Sequence, residues 1–445
     1  MAPTLTRRSF LSSTAKTGIS FTALSAYLAA CSSGTGAGTA AGDGSSAAPI
    51  TAVLPEAPWL DSFRQVVSVY EDETGNTVDV RVFPFDAVPT QAFNAVSQRS
   101  KEFDIFTLAE GFVGQFYSSE VLAPMTEIDP SFTWPEGVIT YDNLGRWDRE
   151  RGWFDPEGTI YGLPVNGNIQ LFLYRRDLYD EFGLEVPETW EDVLNIAKEH
   201  DSDQLQGYVM RPRLFDFMAI LHGYGGDLFA NPPDDYTVTI DDAAGQAALE
   251  TTIQLVSHGP RDPQTIEQPE LTALFQTGEV LQGHAVSATH ALLDDPARSK
   301  VAGKIDYAVV PRPADGEHAS MTGALVQAIP AHLADEQKEA ALAFLRWLMT
   351  KDAQMRYAEA GGVVTHQEVY ESDLADESEY RYMKAVSDST EYLHGFARYT
   401  FGAKIREALD RRFQELFTGS LGVDDGLTKM RTDLEEIVKA EGVAS

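Results

Sequence analysis

From Ile50 onward the chain alternates short β-patterned runs with amphipathic helical stretches, and this rhythm limits the folds open to it. Ile50 to Leu54 is an apolar run that reads as a strand. Asp61 is placed to cap a helix whose Phe63, Val66, Val67 and Tyr70 share one face, and Gly75 ends it. Val78, Val80 and Val82 alternate with Asp79 and Arg81, the period of a half-buried strand. A helical stretch around Phe93 to Gln98 follows, then a strand from Phe103 to Leu108 with Glu110-Gly111-Phe112 just past its end. Strands joined through helices require right-handed crossovers, so the expected class is α/β, with mostly parallel sheets flanked by helices.

The rhythm continues past the break at Tyr161-Gly162-Leu163-Pro164. Ile169 to Tyr174 reads as a strand. Thr189 with Asp192 has the spacing of a capping box ahead of Val193, Leu194, Ile196 and Ala197. Tyr208-Val209-Met210 is a short strand, Asp241 is placed to cap a helix, and Lys304 to Val310 is a strand ending in Pro311-Arg312-Pro313. Asp335 is placed to cap an amphipathic helix carrying Ala341, Phe344, Leu345 and Leu348. Two more helices close the chain, with apolar faces on Ile405, Ala408, Leu409, Phe413 and Leu416 and on Leu427, Met430, Leu434 and Ile437.

The first 49 residues follow other rules. Arg7-Arg8 in Thr6-Arg7-Arg8-Ser9-Phe10-Leu11 is a twin-arginine pattern, and an apolar stretch from Gly18 to Ala30 follows it. That stretch is too short for a stable membrane span and reads as a removable export signal, residues 1–30. It ends in Leu28-Ala29-Ala30-Cys31, which resembles a lipobox whose thiol receives the lipid; a buried free thiol is the plainer alternative. Cys31 is the single cysteine, so no internal disulfide supports the fold. Residues 31–49 are nearly all Ser, Gly, Thr and Ala, the composition of a flexible tether. The expected location is therefore the outer face of the cytoplasmic membrane, anchored through Cys31. The formal charge of −34 excludes nucleic acid and polyanions as natural partners and otherwise reads as a highly solvated surface.

Several segments, in order, resemble the family-1 extracellular solute-binding proteins of ABC importers, of the maltodextrin- and polyol-binding type. They are Thr74-Gly75-Asn76-Thr77-Val78, Phe103-Asp104-Ile105, Gly162-Leu163-Pro164, Tyr174-Arg175-Arg176-Asp177-Leu178 and Thr189-Trp190-Glu191-Asp192, continuing with Tyr224-Gly225-Gly226, Phe275-Gln276-Thr277-Gly278, Pro311-Arg312-Pro313, Phe344-Leu345-Arg346-Trp347-Leu348 and Gly361-Gly362. The resemblance implies a type II periplasmic-binding-protein-like fold with two lobes hinged about a ligand cleft. One lobe is expected from residues 50–164 with 309–351 and the other from 165–308 with 352–445. It further implies a monomer that takes up a sugar, polyol or short oligosaccharide, hands it to permease subunits, and uses no cofactor.

A hydroxylated ligand needs flat aromatic surfaces and forked polar groups. Trp59, after the first strand, is a candidate stacking plane. Glu110 and Phe112 stand where the family often has an acid and a Trp. Asn166 and Asn168 follow the hinge-like Gly162-Leu163-Pro164 with amides that donate and accept at once. Arg211, in Met210-Arg211-Pro212, offers forked bonds to vicinal hydroxyls or a carboxylate. Tyr224, beside Gly225-Gly226, and His290, where the family commonly has a Trp, are further candidates. Gly323, in Thr322-Gly323, and Gly362, in Gly362-Val363, complete the set. Tyr399 and Phe401 offer a late aromatic wall or plain core packing.

No phosphate-binding glycine loop, nucleophile elbow or metal-ligand spacing of histidines is present, so neither an enzyme nor a metal site is expected. The alternatives are a binding protein for another solute, such as a polyamine, or a secreted glycoside hydrolase with a carboxylate pair.

Overall fold

A computed structural model describes residues 48–443, apart from Ala397 and the side chain of Asp424. The signal segment, Cys31 and the tether up to residue 47 lie outside the described residues.

Two sheets organise the chain. The first has the order Val78–Phe83, Ile50–Pro55, Ile105–Ala109, Leu325–Ala328, Gly162–Asn166. Its first three strands are parallel, as their helical connections require, with Ile50 opposite Val78 and Ala52 opposite Ile105. Leu325–Ala328 runs antiparallel to both of its neighbours. In the second sheet Gln170–Arg175 lies antiparallel between Gln282–Val286 and Ile305–Ala308, and Val209 adds a parallel bridge to Gly283. The sheets are therefore mixed rather than mostly parallel. The local rhythm sets the parallel half, and strands returning from far along the chain supply the antiparallel pairs.

Local signals hold with small shifts of register. Gly75 ends helix Leu60–Thr74 at φ 73°, and Thr189 and Asp192 close a reciprocal capping box on helix Trp190–His200. Asp61, Asp241 and Asp335 do not cap: Asp61 and Asp335 fall inside the first turn, and Asp242 caps helix Ala243–Val256 through Gly245 N–H.

The chain leaves the first sheet after Asn166 and enters the second at Gln170. Its return differs from expectation. Pro311-Arg312-Pro313 stays pinned to the second half, because Arg312 exchanges backbone hydrogen bonds with Glu188 and Trp190 and pairs with the Glu188 carboxylate at 2.7 Å. Ser320–Met321 still pairs with Leu393–His394, so the return falls at 322–324. Thr350 likewise caps helix Lys351–Glu359, which packs on helix Leu60–Thr74 and stays with the first sheet.

One apolar cluster runs from the first sheet onto a face of the second, through Leu171, Leu173 and Ile305, and a second cluster covers the other face of the second sheet. Val53, Phe106 and Leu108 bury against Phe63, Phe344 and Leu345. Around the second sheet, Trp190, Phe217 and Leu221 meet Ile405, Leu409 and Phe413 of helix Gly402–Phe417, which is backed by Met430 and Leu434 of helix Val423–Glu441. Burying a side chain of this size is worth about 1.5–3 kcal/mol.

Candidate functional site

The first crossing brings the two sheets to one place, and polar side chains collect there. Asn168 accepts from Ala288 N–H at 2.9 Å and Ser287 Oγ at 3.2 Å through Oδ1, and its carbonyl accepts from Gly323 N–H at 2.8 Å. Both crossings and the end of strand Gln282–Val286 are thus tied by one residue. Asn166 is 0 % exposed and lies beside the Tyr357 hydroxyl, yet neither of its amide atoms makes a hydrogen bond of good geometry. Asp216, fully buried on helix Leu214–Gly223, forms an ion pair with Arg211 at 2.9 Å and accepts from Gln170 Nε2 at 3.3 Å. Phe215 links these groups to the next layer. Its ring lies under the Arg211 guanidinium at 5.5 Å and meets Phe396 edge-on at 5.1 Å.

Behind Phe396 opens a cavity of about 280 Å³. One wall comes from the connection between strands Ile105–Ala109 and Gly162–Asn166, through Asp142 and Trp153. The opposite wall is one face of helix Leu214–Gly223, spaced by one turn: Leu214, Met218 and His222. The segment from Leu393 to Tyr399 closes the third side, with Trp153 and Tyr399 5.7 Å apart. Aromatic planes beside carboxylates and a guanidinium make a surface suited to a small hydroxylated molecule.

Arg398, 6 % exposed, is the centre of this wall. It pairs with Glu110, donates to the carbonyls of Tyr141 and Asp142, and reaches the Asp142 carboxylate at 2.9 Å. Tyr141, Asp142 and Asn143 have φ of 47°, 53° and 66°, three consecutive left-handed residues without a glycine. Each such residue costs roughly 1–2 kcal/mol, and the guanidinium holds two of their carbonyls in place.

The expected site residues divide. Asn166, Asn168, Arg211 and Gly323 gather at the crossings, and Gly323 faces Phe215 and Asn168. Glu110 is 3 % exposed and opens helix Glu110–Ser118; it is taken up by Arg398 and by the Thr322 hydroxyl rather than left free for a ligand. Burial raises its carboxyl above the ordinary value, against the pull of Arg398. Phe112, on the same helix, is half-buried. Trp59 is 2 % exposed and packs edge-on against Phe63, so it offers no stacking plane. Tyr224 follows the far end of helix Leu214–Gly223 and bonds to Thr251, away from the crossings. Gly362 is small because a Cβ there would lie 2.1 Å from the buried Tyr357 ring. Tyr399 lines the cavity, whereas Phe401 packs behind it.

His290 is neither exposed nor a free ring: it is 4 % exposed and stacks on Tyr382 at 3.6 Å. Burial lowers its pKa to about 3. A folded-state value below the unfolded one means that the unfolded chain takes the proton first, so stability is full above about pH 6.5 and is lost as pH falls toward 3. His290→Phe, which keeps the stack without the titration, is expected to gain roughly 2 kcal/mol relative to the parent between pH 6.5 and 5, at about 1.4 kcal/mol per pH unit. Urea midpoints at the two pH values measure this; a constant difference contradicts it.

Arg398, Phe215, Trp153, Asp142 and Asp227 carry the site without any sequence signal of their own. They sit in connections and at the start of a helix, and only the tertiary fold brings them together.

The sequence profile of the family described as "Bacterial extracellular solute-binding protein" matches residues 55–355. A diacetylchitobiose-binding protein of Streptomyces coelicolor is 25 % identical over 49 % of this chain and 52 % of its own length. A mannitol-binding protein of Pseudomonas aeruginosa is 27 % identical over 46 % and 49 %. The chain thus spans about half the length of the curated relatives it matches. A solute-binding protein of Agrobacterium radiobacter, solved in complex with ribitol, superposes with a TM-score of 0.76 at 17 % identity, covering 88 % of this chain and 99 % of that one. The shared architecture is the two-lobe α/β fold.

Proposed function

We propose, because this chain belongs to the bacterial extracellular solute-binding proteins, that it captures a sugar, polyol or short oligosaccharide and delivers it unchanged to the permease of an ABC importer. The observation that carries the reading is the cavity behind Phe396, walled by both halves of the fold with aromatic rings beside fixed polar groups. Its volume of about 280 Å³ lies just below the range for small-molecule sites, about 300–1,000 Å³. One ring or a linear polyol fits that size better than a long oligosaccharide, and hinge motion about the crossings admits it. The curated relatives named above bind diacetylchitobiose and mannitol, which supports the same ligand class. The protein acts as a monomer, held to the outer face of the cytoplasmic membrane by a lipid on Cys31.

The test is a thermal-shift screen of purified protein against polyols, monosaccharides and disaccharides, with chromatography of each sugar after incubation. Ligand at about 100 times its Kd adds roughly 2.7 kcal/mol to the folded state. A shift with the sugar recovered intact supports capture. Breakdown products point to a hydrolase, a shift only with diamines to a polyamine binder, and silence across the panel removes the proposal. Asn168→Ala, which unties the crossings, and Trp153→Ala, which removes a ring, are each expected to weaken binding by about tenfold, an effect of about 1.4 kcal/mol. Titration calorimetry decides, and unchanged affinity in both places the ligand elsewhere.

A further inference from the structure

The cavity is not electrically balanced. Its one guanidinium, Arg398, is already matched by two carboxylates, Glu110 behind it and Asp142 beside it. His222 and His394 also face the cavity, stacked on each other at 4.2 Å. Burial pulls both of their pKa values down to about 4, so at neutral pH they bring no positive charge. Asp227 completes the polar lining. One of its oxygens accepts from Leu228 N–H at 2.6 Å, and no Lys or Arg lies within ion-pair distance of it among the described residues. Burial raises its carboxyl above the ordinary value, with the Leu228 N–H and the neighbouring His394 pulling only partly against it.

A partly dehydrated carboxylate on a cavity wall is stabilised by a donor that enters with the ligand, and most by one that carries positive charge. A ligand carboxylate or phosphate would instead meet two lining carboxylates and one guanidinium already engaged by a third behind it, and like charges so placed disfavour binding.

We infer that Asp227 is a specificity-determining residue, by which the cavity prefers an amine-bearing sugar or amino-polyol to its neutral counterpart and excludes sugar acids. The inference rests on the sugar-binding reading given above. It also fits the geometry of the wall: Asp227 precedes the buried Leu228 directly after the turn that ends helix Leu214–Gly223, and the Thr239 hydroxyl donates to its carbonyl. The backbone is thereby fixed, and the Leu228 N–H holds the carboxylate itself.

The experiment uses the purified protein at pH 6, where the amine is protonated and both histidines are neutral. Titration calorimetry compares matched sets of hexose, aminohexose and hexuronate in the gluco, galacto and manno series, with the corresponding alditols. The amino sugar of the binding series is expected to bind about tenfold tighter than the neutral sugar, and the uronate at least tenfold weaker. In Asp227→Asn, which can still accept from Leu228 N–H, the preference for the amine should fall to within twofold, with the ligand-free melting temperature reported alongside. Equal binding of neutral and amino sugars by the parent, or binding of the uronate as tight as that of the neutral sugar, overturns the inference and leaves sugar capture standing. So does a variant that folds and keeps the full preference. Should Asp227→Asn fail to fold, the three-way comparison on the parent protein decides alone. Binding by no member of any set removes both the inference and the function it rests on.

Discussion

Arg398→Met is expected to cost about 3–5 kcal/mol of folding stability, the usual penalty for removing one partner of a buried ion pair. Glu110, 3 % exposed, would keep only the Thr322 hydroxyl as a side-chain partner. The carbonyls of Tyr141 and Asp142 would lose their donors at the same time. The double variant Arg398→Met with Glu110→Gln should recover a large part of the loss, because the stranded charge is then gone. Urea denaturation of the three proteins measures this. A single variant within 1 kcal/mol of the parent would mean that the cluster is replaced by water at little cost.

Gly167→Ala is expected to cost roughly 2–3 kcal/mol by overpacking. The added methyl would sit 2.1 Å from the Tyr141 hydroxyl and 2.2 Å from the Val364 carbonyl oxygen, and Gly167 N–H already donates to Val363. Tyr141 cannot withdraw easily, since it is fully buried and belongs to the left-handed turn held by Arg398. The crossing between the sheets must therefore open by more than an ångström or the turn must break. Gly422→Ala is the control: its φ is −72° and its surroundings are open, so its melting temperature should stay near that of the parent. Equal melting temperatures for Gly167→Ala and the parent would show that the crossing is loosely packed.

The alternation from Ile50 to Leu108 was sufficient to place three parallel strands, because each strand, helix and turn there is decided by neighbours in sequence. Leu325–Ala328 carries no such signal. It pairs with strands more than 150 residues away, so its direction is decided by where the chain re-enters the sheet. Of the candidate residues, Asn166, Asn168 and Gly323 border crossings that punctuate the pattern, so their place in the fold was legible. Trp59 and His290 misled because an aromatic after a strand can point outward or inward: Trp59 turned inward onto Phe63, one helical turn on, and His290 onto Tyr382, far along the chain. The residues that build the cavity wall, Trp153, Asp227 and Arg398, lie in connections whose course only the assembled fold fixes.

The guanidinium at position 398 has a consequence for biogenesis. The turn at 141–143 opposes its own backbone preferences, and its clamp arrives more than 250 residues later. A nascent chain that has already formed its first sheet still lacks one finished side of the cavity. That wall is completed only once synthesis has passed residue 398, and a product clipped before it, even one that kept its first sheet, would lack it.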